Sequence, residues 1–336
     1  MTPSVPPQPA DVDVSVIVCT RNRAMSLTDS IVGVLSALDA LRDERLTGEL
    51  VLVDNASDDA TAEVVGRFAR ADARVRYVLA PEPGLGRARN VGVRAARGAV
   101  LLFTDDDIVV PRRWAVKMSE PLLSDGADVV FGGVAMAAEL ERPWMTDKLR
   151  TLYYAHTPEP RDIRPEPIGA SMGARREVPE RLPFDDALGA QPYPGAEDVL
   201  FRYQSMEAGY RVRGVRHVIV EHHFDAARLE PARLRGIAEG YGRCDAYLQH
   251  HHWPNAEIKL QPARLVLHWL RLKWIEARRP EPHSEQLMDA IRKVAFHREI
   301  RALRKAPLRY QARMVQASAD AASVTRPRPA VAQRVK

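Results

Sequence analysis

The chain has only two cysteines in 336 residues, Cys19 and Cys244, which excludes a disulfide framework and any cysteine-rich zinc module. No stretch approaches the roughly 20 consecutive apolar residues that span a bilayer. The opening MTPSVPPQPADVD has neither the basic start nor the apolar run of a signal peptide, so a cytoplasmic location is expected. Aromatic residues make up only 6%, yet 46% hydrophobic and 28% charged content is the balance of a folded globular protein. Disorder throughout and a collagen-like repeat are thereby excluded. Helix-turn-helix, zinc-finger and RNA-binding signatures are all missing, and no nucleic-acid partner is expected.

The net charge of +5 hides an asymmetry: residues 1–225 carry 27 Lys and Arg against 34 Asp and Glu, and residues 226–336 carry 22 against 10. The acidic portion suits a domain that uses a metal. The basic portion suits an anionic partner, either a membrane face or a phosphorylated substrate.

Val14 to Cys19 (VSVIVC) is a short β-branched run of the kind that makes a buried parallel strand. Leu27, Ile31, Val34, Leu35, Leu38 and Leu41 then keep the three- and four-residue spacing of a helix. The alternation continues with strands at 49–53, 75–79 and 100–103 and helices at about 59–69 and 87–97. This predicts an α/β domain with a mostly parallel sheet flanked by helices. Residues 128–134 and 215–220 also read as strands, 158–167 as a Pro-broken loop, 196–208 as a helix, and residues beyond 225 as helical to about 306. The last 25 or so residues, poor in large apolar groups, read as disordered.

Ligands of such a sheet bind beyond the carboxyl ends of its strands. The residues there are Thr20, Arg21 and Asn22, then Asp54 and Asn55, then 81–89, then Asp105, Asp106 and Asp107. Three adjacent carboxylates repel one another unless a cation neutralises them, and Mg²⁺ or Mn²⁺ suits oxygen ligands while leaving positions for phosphate oxygens. Alternation along an extended chain would point Asp105 and Asp107 to one side and Asp106 to the other. Read alone, the triplet is equally a solvated acidic loop ahead of a helix that begins at Pro111.

The ordered series VSVIVCTRN, VLVDNASDD and GLGRARNVGVRAARGAVLLFTDDD, followed by GASMGARRE, FDDALG, GAED, EAGYRV and a strand ending in EHH, resembles the family 2 glycosyltransferases with the GT-A fold. The resemblance covers residues 14–228. It implies that Thr20, Arg21 and Asp54 contact the base and ribose of a nucleotide-sugar donor. Many relatives carry an aromatic residue where Arg21 stands; a guanidinium plane also stacks on a base. By the same resemblance Arg89 lies toward the diphosphate or nucleobase, Asp105 and Asp106 lie with the donor, and Asp107, with Asp105 and His222, holds Mn²⁺ or Mg²⁺. It also implies that Glu197 and Asp198 are the acidic pair, with Asp198 the general base, and that Gly169, Ala170, Ser171 and Met172 form a tight turn beside the sugar or acceptor. Each residue also has a plainer reading: Asp54 ordering the Asn55-Ala56-Ser57 turn, the acidic pair opening a helix, and His222 lying on the surface.

The expected organisation is a leader at 1–12, a GT-A catalytic domain at 13–228, a helical region at 229–310 and a basic tail at 311–336. Arg264 to Arg279 places Leu265, Trp269 and Leu272 on one helical face with Val266, Leu270 and Trp274 beside it, and Arg264, His268, Arg271 and Arg278 opposite. Such a face packs against another element or lies on a membrane. The run His250 to His252 reads as solvated at a helix end. The expected activity is metal-dependent, inverting transfer from a UDP- or dTDP-linked sugar to a hydroxyl acceptor (saccharide, lipid-linked saccharide or small molecule) in cell-surface polysaccharide or glycoconjugate synthesis, with peripheral attachment at the inner membrane face left open. The rivals are a sugar nucleotidyltransferase and a binding protein without turnover. The first normally has a Gly-rich loop after strand one, and CTRNRAMS has no glycine there.

Overall fold

A computed structural model of the chain describes residues 12–153, 155, 168–252, 262–278 and 280–310. The expected leader, except for residue 12, with which the first strand begins, the expected loop at 158–167 and the terminal tail fall outside these residues. In chain order the elements are β1 (Val12–Thr20), α1 (Leu27–Asp43), β2 (Gly48–Asn55), α2 (Thr61–Ala71), β3 (Val75–Ala80), α3 (Leu85–Ala95), β4 (Gly98–Asp105), β5 (Ile108–Val109), α4 (Trp114–Leu123) and β6 (Val129–Met136). There follow α5 (Asp147–Leu152), β7 (Met172–Arg175), α6 (Glu177–Arg181), α7 (Glu197–Glu207), β8 (Val212–His222), α8 (Pro231–His251), α9 (Pro262–Ala277) and α10 (Glu285–Leu303).

Eight strands form one sheet in the order β3-β2-β1-β4-β7-β6-β8-β5. The strands from β3 to β4 are parallel, as the alternation of strand and helix requires. β7 is antiparallel to both β4 and β6, β6 and β8 are parallel, and β5 closes the edge antiparallel to β8. The expected α/β class therefore holds. β7 is the departure: the expected turn at residues 169–172 is one turn of 3₁₀ helix at Gly169–Ser171, and Met172 then begins a short central strand.

Alternation along β1 divides the core. Val14, Val16 and Val18 pack with Leu27, Ile31 and Leu38 of α1 and Trp114 and Met118 of α4, whereas Ile17 and Cys19 pack with Val93 of α3 and Phe201 of α7. Gly92 lets α3 lie close on the sheet, because a Cβ there would meet Ile17 Cγ2 at 2.6 Å. That approach sets Arg89, one turn earlier, over the carboxyl ends of the strands.

Helices α8, α9 and α10 share a second core built on Leu234, Ala238, Leu272, Ile275, Leu287 and Ile291, continuous with Met136, Tyr153 and Phe224. The histidine run corrects the expectation of solvation: His251 and His252 are buried, and burial pushes the His251 imidazole down to about 4. The chain beyond α10 then returns to the segment between α6 and α7. Asp185, buried in the FDDALG segment, accepts hydrogen bonds from Tyr247 (2.6 Å), Arg309 (3.0 Å) and Tyr310.

Candidate active site

The loop after β1 is pinned to the loop after β2. Asn22 N–H donates to Ser57 Oγ, Arg23 N–H to Thr61 Oγ1 and Ala24 N–H to Asp59, each at 3.0–3.1 Å. The NASDDAT run is thus a set of side-chain acceptors that hold TRNRA in place. Asp54 accepts from Ser57 N–H (2.9 Å) with one oxygen and from the Tyr77 hydroxyl (2.8 Å) with the other. It therefore orders the turn, as its plainer reading had it, and burial together with that bond raises the Tyr77 phenol to about 12. Thr20 is buried at the end of β1, and Arg21 is exposed at the rim.

The aspartate triplet does not alternate as an extended strand. β4 ends at Asp105 and the chain turns through Asp106 and Asp107 before β5, so the regular two-residue repeat stops at the first carboxylate. Asp105 faces Arg89 (3.3 Å), while Asp106 and Asp107 both face Arg23, at 3.5 and 3.3 Å. Arg228 stands 3.9 Å from Asp107. Burial and the neighbouring Asp107 push Asp106 up to about 7. Burial also opposes the charge on Asp107, but the His222 bond and the charges of His222, Arg23 and Arg228 outweigh it and bring that group to about 2.

His222 Nε2 lies 3.3 Å from Asp107 Oδ1, and its Nδ1 is buried without a hydrogen-bond partner. The His223 ring instead pairs with Glu139 and Glu221 at the surface, away from the Asp107 carboxylate. Among the described residues no three His, Cys, Asp or Glu side chains converge as a ready cation site. Asp107 Oδ1 and His222 Nε2 are near enough to each other to serve as two ligands of one divalent ion. The donor set fits an ion that draws further ligands from phosphate oxygens and water.

Arg89 is the centre of the arrangement. It is 2% exposed, and its guanidinium reaches Glu197 Oε1 at 2.7 Å and Asp105 at 3.3 Å. Burial disfavours its charge, but Glu197, Asp105 and Asp198 more than offset this and hold the guanidinium above its ordinary value. The backbone of Gly169 lies against it: a Cβ there would come within 2.3 Å of Nη2. Gly169 N–H also donates to Asp198 (2.6 Å), and Asp198 accepts from Val199 N–H at 2.7 Å. Burial raises both acids, Glu197 to about 7.

The turn expected beside the acceptor is corrected in one respect. Ala170, Ser171 and Met172 are buried in the sheet core, with Ser171 Oγ accepting from the Trp114 indole (3.1 Å). β7 is inserted between β4 and β6, so its side chains face packed layers. Gly169 alone of the four touches the acid cluster, through its backbone. The residues the sequence reading missed are Arg23 and Arg228. The signal for Arg23 is its place two residues after Arg21 in the same loop beyond β1.

A family model described as glycosyl transferase family 2 matches residues 15–182. Among curated proteins, the succinoglycan biosynthesis protein ExoO of Rhizobium meliloti is 42% identical over 103 residues, 30% of this chain and 27% of that protein. The uncharacterized glycosyltransferase EpsJ of Bacillus subtilis is 28% identical over 123 residues, 36% of each chain, so the match spans about a third of that relative's length. Similar solved structures include S. aureus TarS 1-349 (16% identity, TM-score 0.48, 88% of this chain and 92% of that one). Another is the mannosyltransferase PcManGT of Pyrobaculum calidifontis in complex with GDP-Man and Mn²⁺ (21%, 0.49, 95% and 85%). With the matched model spanning half of its residues, from β1 through the helix that bears Arg89 and the aspartates that close β4, the chain belongs to glycosyl transferase family 2.

Proposed function

We propose that the protein is a metal-dependent, inverting glycosyltransferase that moves a sugar from a UDP- or dTDP-linked donor to a hydroxyl acceptor in cell-surface polysaccharide or glycoconjugate synthesis. One observation carries this reading: the buried Arg89 guanidinium joins the acidic pair to the aspartates at the sheet edge, with Glu197 at 2.7 Å and Asp105 at 3.3 Å. A base and a donor-holding edge are thereby fixed to one rigid group, as a two-substrate displacement requires. The stretch shared with a protein of succinoglycan biosynthesis supports the polysaccharide assignment.

In this reading Thr20, Arg21 and Asp105 face the nucleoside, and Asp54 shapes the wall by holding its turn. Asp107 and His222, with Asp105, would hold Mn²⁺ or Mg²⁺, which supplies positive charge for the departing diphosphate. Arg23 and Arg228, both beside Asp107, add fixed positive charge to the same edge. Asp198 takes the proton of the acceptor hydroxyl as its oxygen forms the new bond to the anomeric carbon. The bond from that carbon to the diphosphate oxygen breaks on the opposite face. Burial makes Asp198 a stronger base than an exposed aspartate, and the Gly169 and Val199 N–H groups fix its orientation.

Asp198→Asn should keep donor binding, measured by thermal shift with UDP or dTDP and Mn²⁺, and lower transfer by about 10²- to 10⁴-fold. Unchanged transfer would remove Asp198 from the role of base. Absence of any stabilisation by either nucleotide, with or without Mn²⁺, would overturn the donor assignment.

A further inference from the structure

Helix α9 is apolar on two sides, and the fold uses one of them. Leu272 and Ile275 are buried against α8 and α10, Leu265 packs beside them, and His268 stacks on His297 at 4.8 Å. This reverses the expectation that set His268 outward. Its one acid, Glu276, is bound to Arg235 at 2.8 Å and Lys273 at 2.7 Å. The other side is open: Val266, Leu267, Trp269, Leu270 and Trp274 are between 41% and 62% exposed. Five of the eleven exposed large apolar side chains among the described residues thus lie on one helix, a concentration that scattered surface residues do not produce.

The order of residues around this helix gives the patch its chemistry. At about 100° per residue, Val266, Leu270 and Trp274 form a line, with Leu267 beside it. Lys273 falls on one flank, and Arg271 and Arg278 on the other. Arg278 lies over the Trp274 ring at 3.5 Å. The outward surface is therefore an apolar strip with a tryptophan, edged by cations whose stems can lie along it with their heads at a polar boundary. A second copy of this face would set like charges together without a facing acid. Residues 311–336 carry five Lys or Arg against one Asp, so they do not complement it either. Phosphate headgroups above acyl chains supply both missing partners at once.

We propose that the open face of α9 docks on the surface of an anionic phospholipid bilayer, with the helix lying in the plane of the interface. The assignment stands on α9 alone and does not depend on the transfer chemistry. No helix among the described residues is long and apolar enough to cross a membrane, so attachment by this face is peripheral.

Flotation of the full chain with vesicles tests this. Vesicles of phosphatidylglycerol and phosphatidylcholine should carry the protein upward. Pure phosphatidylcholine, or the same anionic vesicles in 0.5 M salt (a Debye length of about 4 Å), should carry at least fivefold less. Leu267→Glu with Leu270→Glu, and separately Arg264→Glu with Arg271→Glu, should each lower the floated fraction at least fivefold while leaving the thermal midpoint unchanged, since these side chains are exposed. Three results would each overturn the proposal: a protein that stays at the bottom with anionic vesicles, flotation that neither double variant alters, or a dimer in sedimentation velocity that Leu267→Glu with Leu270→Glu dissociates.

Discussion

The two ends of the parallel sheet each bury acidic groups, and they hold them in opposite ways. At the amino ends Glu49 is 1% exposed and fully engaged: it accepts from Ser15 Oγ (2.7 Å), Arg97 N–H (2.6 Å), Arg76 (3.0 Å) and the Arg97 side chain. Burial works against its charge, and these four donors overcome it, so its pKa falls below the usual range. At the carboxyl ends Glu197 has one oxygen on Arg89 and the other buried without a partner, and burial lifts it to about 7. Asp106 and Asp198 are raised as well. The same sheet thus has a saturated polar network at one end and an under-satisfied one at the other. A satisfied network locks a structure; acids left short of donors are poised to bind a cation or take a proton.

The sharpest way to break this contrast is Arg89→Met. It leaves Glu197 and Asp105 without their common cation, and breaking a buried pair in this way costs about 3–5 kcal/mol. Transfer should fall by more than about 100-fold, because the acid pair loses its fixed relation to the donor edge. Urea unfolding and turnover measured on one preparation would show both losses; loss of stability with full turnover would mean that Arg89 only braces the fold.

Glu49→Gln tests the other end. The amide has a single acceptor oxygen where the carboxylate had two, and its NH₂ group faces donors. Charge-assisted hydrogen bonds contribute about 1.5–3 kcal/mol each, so stability should fall by about 2–3 kcal/mol. KM and kcat should stay within about twofold of the unsubstituted protein. A large fall in kcat at unchanged stability would erase the distinction between the two ends.

Between these lies Gly169→Ala, whose added methyl meets the Arg89 guanidinium at 2.3–2.8 Å. Overpacking of this kind costs about 1–3 kcal/mol. The displaced group is Arg89, so kcat should fall about tenfold at a loss of only about 1 kcal/mol in stability, read by stopped assays and urea midpoints.

The sequence makes one half of this comparison far more legible than the other. β1 to β4 announce themselves because β-branched runs alternate with helical spacing, and the polar residues just beyond each run mark the sheet edge. That is enough to single out Asp105, Asp106 and Asp107, and the resemblance to the family adds Glu197, Asp198 and His222. The partners of those acids are another matter. Arg23 is one arginine among many, and Arg89 stands out by resemblance only as a donor-side residue; the pinned loop after β1 and the close packing of α3 are what bring them to the carboxylates. β7 is illegible for a similar reason: GASMGAR is short and small, and it becomes a strand because β4 and β6 leave a gap one strand wide. The outward side of α9 does not follow from its spacing, since the helix has apolar residues on two sides and a period alone does not say which side the core takes.

The smallest expected effect concerns pH, where the two ends pull in opposite directions. Glu49 has a lowered pKa in the fold, so its contribution is present above its unfolded value and is lost as the pH falls. Glu197 is raised, so the native state binds its proton more tightly than the unfolded chain. That contribution is present below about pH 4.5 and is lost as the pH rises to about 7. Each such proton changes stability by at most about 1.4 kcal/mol per pH unit. Glu197→Gln removes one of them and leaves Asp106 and Asp198 titrating in the same sense. Urea midpoints of the metal-free protein between pH 5 and 7 should therefore decline less steeply in the variant than in the parent. Identical slopes would show that Glu197 is ionised throughout, which would make its pair with Arg89 as fully satisfied as the network around Glu49.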